Sequence, residues 1–200
     1  MQNKEYSAGA VKFSFWFAEF RKVVFLLRSG IALNDIKELA VSNNIFSAVT
    51  PIRSGQIFST VSARVSSLSD DYYKLFETSG IDTQKLIALL AVMETDTLFF
   101  DFMNDVYKEK LITSDTYLTD ADMRVFFTDK GRQSEKISTW TDKTFDRLRS
   151  CYKTYLAEAG LLKRGIGDRI IIKPLVEDRL AILLCDTNKK QVYNIFTGTR

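Results

Sequence analysis

The 200-residue chain has no histidine and only two cysteines, Cys151 and Cys185. Four nitrogen or sulfur ligands for zinc cannot be assembled from that inventory, and serine or cysteine triads that need an imidazole are excluded with them. Two cysteines at no motif spacing suit a reducing compartment better than a structural disulfide. Glycine is sparse at nine residues, and neither a G-x-x-x-x-G-K-S/T loop nor a dinucleotide-binding loop occurs, so ATP and NAD chemistry are unsupported. The longest apolar run, residues 86–93, is eight residues long. A membrane span needs about 20. With no apolar leader at the N-terminus either, a soluble cytoplasmic protein is expected, without cofactor, membrane contact or small-molecule substrate.

Hydrophobic residues at 46% and charged residues at 26% are ordinary for a chain that folds. The net charge of +3 is unevenly spread. Residues 1–118 carry 12 Lys+Arg against 14 Asp+Glu, whereas residues 119–200 carry 16 against 11. Residues 130–173 alone hold 11 basic against 5 acidic side chains, a local excess of +6. Charge concentrated in this way favours a nucleic-acid footprint over general solubility.

The basic excess sits on a recognisable order of elements. Ser134 offers an N-cap to a short segment ending near Trp140. Thr141 then caps a helix of about five turns to Ala159, with Gly160 placed to end it. Leu161–Arg164, a turn at Gly165-Ile166-Gly167-Asp168 and the β-branched run 169–173 predict a hairpin wing. Helix, tight turn, second helix and wing make a winged helix-turn-helix. On the long helix Phe145, Leu148, Tyr152, Leu156 and Ala159 share one stripe and are expected to face the core. Lys143, Arg147, Ser150 and Thr154 stand opposite, with Arg149 and Lys153 on one flank. The expected DNA-binding set is Lys136, Thr141, Lys143, Thr144, Arg147, Ser150, Lys153 and Thr154, with Arg164 and Arg169 at the shoulders of the wing. A solvated helix face is the plain alternative for any one of these residues.

Before this region the chain reads as helices with short connections. Residues 1–12 are expected to lie as a tail on a bundle. Residues 13–28 form an apolar helix, stopped by Ser29-Gly30. Asn34 caps a second helix, and Thr50-Pro51 opens a third with Ile52, Ile57, Val61, Val65 and Leu68 inward. Ser69-Asp70 starts a short helix ending at Gly80, and Asp82 caps a central, buried one. Thr95 reopens the pattern, with Leu98, Phe102, Val106 and the stem of Lys110 inward. The boundary is expected after the polar joint 113–118, giving a helical bundle over 1–115 and a winged-helix domain over 116–200. Thr119 with Asp122 forms a capping box for the first helix of the second domain. Residues 177–185 are helix or strand, and 191–196 read as a strand. The fold class is therefore mainly α, an N-terminal helical bundle followed by a C-terminal winged helix-turn-helix with a small β-wing.

Other clusters have ordinary readings. Glu94, Asp96, Asp101, Asp105 and Glu109 could present a divalent ion, but lysines alternate with the last of them and a solvated face is favoured. The crowded aromatics Phe13, Phe15, Trp16, Phe17 and Phe20 mostly fill a core. Arg53 and Arg64 on the helix opened by Pro51 are a further candidate basic patch, with pairing to nearby acidic helices the favoured reading.

Several blocks resemble the BrxA family of BREX phage-defence systems. They are Tyr6-Ser7-Ala8-Gly9-Ala10, Phe15-Trp16, Glu19–Val24, Asn44-Ile45-Phe46 and Thr83–Ile87. They continue with Leu98–Met103, Val106-Tyr107, Glu109-Lys110-Leu111, Phe126-Phe127, Gln133-Ser134-Glu135, Trp140-Thr141 and Ala159–Leu162. The likeness spans nearly the whole chain. It implies a NusB-like N-terminal bundle, a C-terminal winged helix, double-stranded DNA binding without enzymatic activity, and work beside other BREX proteins. A winged-helix transcriptional regulator, an RNA-binding NusB-like adaptor and a metal-dependent nuclease are the competing functions.

Overall fold

A computed structural model describes residues 5–200, and its contacts divide into two compact units. One is Phe15–Thr95; the other joins residues 5–14 to Asp96–Arg200. The contact break thus lies some twenty residues before the expected boundary at 115/116, and it groups residues 96–115 with the C-terminal part.

The first unit contains α1 (Phe17–Arg28), α2 (Leu33–Ser42), α3 (Pro51–Ser66), α4 (Asp70–Thr78) and α5 (Ile81–Thr95). In α5 every residue from Leu86 to Met93 is buried, and the helix packs against α1, α3 and α4. A helix apolar all round can only sit inside. Helix α1 starts four residues later than expected, because Trp16 adopts a left-handed conformation at φ 53°. That turn sends Phe15 and Phe20 into the core, where the Phe17, Phe20 and Phe25 rings gather 5.7–6.5 Å from Phe76. Arg64 is buried, donates to the Phe15 carbonyl at 2.7 Å and lies over the Trp16 ring, which Arg53 also covers. A carbonyl and an indole face receive these two guanidiniums.

A side-chain cap opens α3. The Thr50 hydroxyl accepts from the Arg53 amide at 3.1 Å, with Pro51 in the first turn. Ile52, in the first turn of α3, falls outside the expected inner face at 77% exposure. Asn34 and Asp82 lie within the first turns of α2 and α5 and do not act as N-caps.

In the second unit, α6 (Thr97–Phe102), a π-helical turn (Met103–Tyr107) and α7 (Lys108–Ile112) run without a break, opened by Asp96, whose carboxylate accepts from the Phe99 amide. The extra residue in the π turn rotates the following face. Tyr107 is therefore buried in place of Val106, and its hydroxyl donates to the Ile172 carbonyl at 3.1 Å. Then follow β1 (Tyr117–Leu118), α8 (Asp120–Gln133), α9 (Glu135–Ser138), α10 (Asp142–Ala159) and β2 (Arg169–Ile170), which pairs antiparallel with β1. The expected hairpin is present as an isolated Leu162–Ile171 bridge beside β2, so regular strand covers less of 169–173 than predicted.

The last two elements, α11 (Asp178–Asp186) and α12 (Lys190–Thr197), are both helices. The Val, Tyr, Ile and Phe of residues 191–196 favour a strand by type, yet the segment is helical. Val192, Ile195 and Phe196 are buried at the i, i+3, i+4 spacing of a helix packed on α7 and α11, and tertiary contact overrides β propensity. Gly198 closes α12 at φ 66°, where a Cβ would stand 2.6 Å from that of Leu111. Of residues 5–14, those at Gly9–Lys12 form a 3-10 turn against α10, and the Tyr155 hydroxyl donates to the Phe13 carbonyl at 2.7 Å. The first four residues of the expected tail lie outside the described residues. No described helix is long and apolar enough to cross a membrane.

Candidate nucleic-acid interface

Helix α10 carries the site. The Thr141 hydroxyl accepts from the Thr144 amide at 3.3 Å to open it, and Gly160, at φ 86°, closes it with a left-handed turn. Leu148, Tyr152, Leu156 and Ala159 are buried and Phe145 half-buried, as the stripe requires. The Tyr152 ring stands 4.9 Å from Phe99, 5.3 Å from Phe102 and 5.7 Å from Phe127. Opposite this cluster Lys143, Arg147, Ser150 and Thr154 are exposed, as are Lys136 on α9 and Thr141 at the cap. Thr144 is half-buried and its hydroxyl meets that of Thr141 at 3.1 Å. Lys136 makes an exposed ion pair with Glu5 at 2.9 Å.

Lys153 behaves differently from the face it was expected to flank. It is only 5% exposed, is bonded to the Asp120 carboxylate and donates to the Gly167 carbonyl at 2.8 Å. The Asp168 carboxylate in turn accepts from the Asp120 amide at 2.8 Å. Lys153 thus ties the loop 164–168 to the start of α8 and to the side of α10. Its charge is spent inside the protein, so it is withdrawn from the surface available to phosphates. Asp120 and Asp168 escaped the sequence reading, because their partners are 33 and 48 residues away. Arg149 pairs with Asp146 one turn earlier, Arg164 is exposed, and Arg169 is half-buried with its stem beside Gly165.

The acids at 94–109 divide. Lys130, 8% exposed, bonds Asp101 at 2.5 Å and Asp105 at 3.2 Å, and the Tyr6 hydroxyl donates to Asp101 at 2.7 Å. Asp101 is thus part of an internal ion pair and not of a solvated face. Among the described residues no group of three or more His, Cys, Asp or Glu could hold a metal ion.

These pairs shift titrations in opposite senses. The hydrogen bond from Lys153 holds the Asp120 carboxyl below its ordinary range. Burial would raise Asp122, but the Thr119 amide and Lys110 outweigh it and lower it. Burial would lower Lys130, yet its bonds to Asp101 and Asp105 raise it above the usual ammonium value. Depressed carboxylates add stability that is present above their unfolded value near 4 and is lost as pH falls through the folded one. A raised lysine adds stability below about 10.4, lost as pH rises through its folded value. Unfolding free energy is expected to be flat between about pH 5 and 9 and to fall on both sides. In urea titrations across pH, Asp120→Asn should have a shallower acid limb than the wild type. An identical acid limb would remove the Lys153–Asp120 coupling from the account.

Fold and site define a mainly helical protein with a small antiparallel sheet in its C-terminal part. The chain belongs to the BrxA family, whose model matches residues 4–188. It is similar to a BREX protein BrxA of Bacillus cereus (strain H3081.97), at 44% identity over 160 residues, 80% of each chain. In fold it is similar to an uncharacterized protein from Magnetospirillum magneticum, whose crystal structure matches with TM-score 0.80 and 15% identity over 98% of this chain and all of that one.

Proposed function

We propose that this chain is a non-catalytic, double-stranded-DNA-binding component of a BREX phage-defence system, working in the cytoplasm beside other BREX proteins. Residues 116–200 act as a winged helix on DNA, and residues 1–115, a NusB-like bundle, carry the protein contacts. The observation that carries the reading is the exposed row Lys143, Arg147, Ser150 and Thr154, standing opposite the buried stripe of Leu148, Tyr152, Leu156 and Ala159 on the same helix. Cations and hydroxyls on one exposed helix face are the groups that meet phosphates and base edges when a helix lies in a groove.

Binding should run chiefly through phosphates, since Asn and Gln are absent from α10. With Lys153 withdrawn, Lys143, Arg147, Arg164 and Arg169 leave about four phosphate contacts, for which log affinity against log salt should slope near −3.6. Gel-shift titration of unrelated duplexes over a salt series, with a Mg²⁺ cleavage assay alongside, checks this. A flat salt response, preference for RNA over duplex DNA, or Mg²⁺-dependent nicking would each overturn the reading.

A further inference from the structure

We infer that the loop after α10 is a wedge: Ile166 enters the minor groove of bound duplex DNA and unstacks one base step. This rests on the DNA-binding reading above and adds a second point of contact to it.

Ile166 is 99% exposed, at the tip of the loop between Lys163 and Arg169. A lone exposed isoleucine is common on protein surfaces. This one differs in how it is presented. Gly165 and Gly167 flank it, and neither carries a side chain to screen it; Gly167 takes φ 69°, which suits glycine. The base of the loop is held by hydrogen bonds from the Lys163 amide to the Ile170 carbonyl and from the Ile172 amide to the Leu161 carbonyl, both 2.9 Å. The tip is held by Lys153 on the Gly167 carbonyl and by Asp168 on the Asp120 amide. A pinned loop gives up little conformational freedom on binding.

The same ties set its place. Lys153 lies about 60° around α10 from Ser150, so a loop bonded to Lys153 borders the exposed row. With that row in a major groove, the bordering loop meets the adjoining backbone and the minor groove beyond it. That groove is about 6 Å wide and excludes a helix, but it admits one apolar side chain on a bare, glycine-flanked loop. Exposed Lys163 and Arg164 place positive charge on the arm of the loop that leads to the tip. Apolar side chains so placed open base steps and bend the duplex, most easily at flexible pyrimidine–purine steps.

The test uses the full chain and duplexes carrying 2-aminopurine next to successive TA or CA steps. Wild-type protein should raise 2-aminopurine fluorescence at one position, and netropsin, a minor-groove ligand, should reverse the rise. Ile166→Ser should lose the rise and bind about tenfold more weakly, with unchanged melting temperature and salt slope. Duplex binding with no rise at any position, or an equal rise with Ile166→Ser, overturns the wedge and leaves the DNA-binding reading standing. No duplex binding by the wild type overturns both.

Discussion

Asp101→Ala should lower the free energy of unfolding by about 3 kcal/mol, although it lies outside the proposed DNA surface. The substitution takes from Lys130 its nearest counter-charge, at 2.5 Å, while the Lys130 side chain stays largely buried with its ammonium over the Phe126 and Tyr6 rings. It also removes the acceptor of the Tyr6 hydroxyl. Breaking one partner of a buried pair costs about 3–5 kcal/mol, because the other charge is left without compensation. The lower end applies here, since Asp105 remains 3.2 Å from Lys130 and Asp101 is partly open to water. The double variant Asp101→Ala, Lys130→Met should recover most of the loss, as no buried charge is left behind. Urea unfolding of the two single variants and the double one measures the coupling directly. Strictly additive losses, or Asp101→Ala within about 0.5 kcal/mol of wild type, would return Asp101 to an ordinary surface carboxylate.

What the sequence made legible was local. Thr119 with Asp122, Ser134, Thr141 and Gly160 mark their helix ends correctly, because a cap is decided within four residues. The stripe of α10 was legible because 3.6-residue periodicity survives any tertiary context that leaves the helix intact. Three features were not legible. The π turn at Met103–Tyr107 shifts the buried face from Val106 to Tyr107, and no residue type announces it. The helix α12 hides behind β-branched and aromatic residue types that favour a strand, although their i, i+3, i+4 spacing is that of a helix. Lys153 looks cationic and available on a wheel, but its burial depends on Asp120 and Gly167, brought to it by the chain's path. Of the ten residues expected to meet DNA, seven are exposed, Thr144 and Arg169 are half-buried, and Lys153, whose burial depends on a loop, is not available.

That division between phase and path is put to the test by two variants of α10. Tyr152→Ala should cost about 4 kcal/mol, since it empties the space between Phe99, Phe102 and Phe127 and forfeits three ring contacts. The loss belongs to the ring and not to the hydroxyl. The Tyr152 hydroxyl is buried and makes no hydrogen bond among the described residues, and burial drives its pKa well above the ordinary value. Tyr152→Phe should accordingly be neutral or up to about 1 kcal/mol stabilising, because a buried unpaired polar group is removed at constant shape. Arg147→Ala reverses the pattern. Its side chain is exposed on the far side of the same helix, so stability should stay within about 0.5 kcal/mol. Duplex affinity should drop by about 1–3 kcal/mol if the guanidinium reaches a base edge, and by less if it meets only phosphate. Melting temperature and duplex affinity, measured for all three variants, separate the two faces. If Arg147→Ala melts as early as Tyr152→Ala, or binds duplex like the wild type, the DNA-facing surface is not this side of α10. If Tyr152→Phe loses as much as Tyr152→Ala, the hydroxyl has a partner that the packing of Phe99, Phe102 and Phe127 does not reveal.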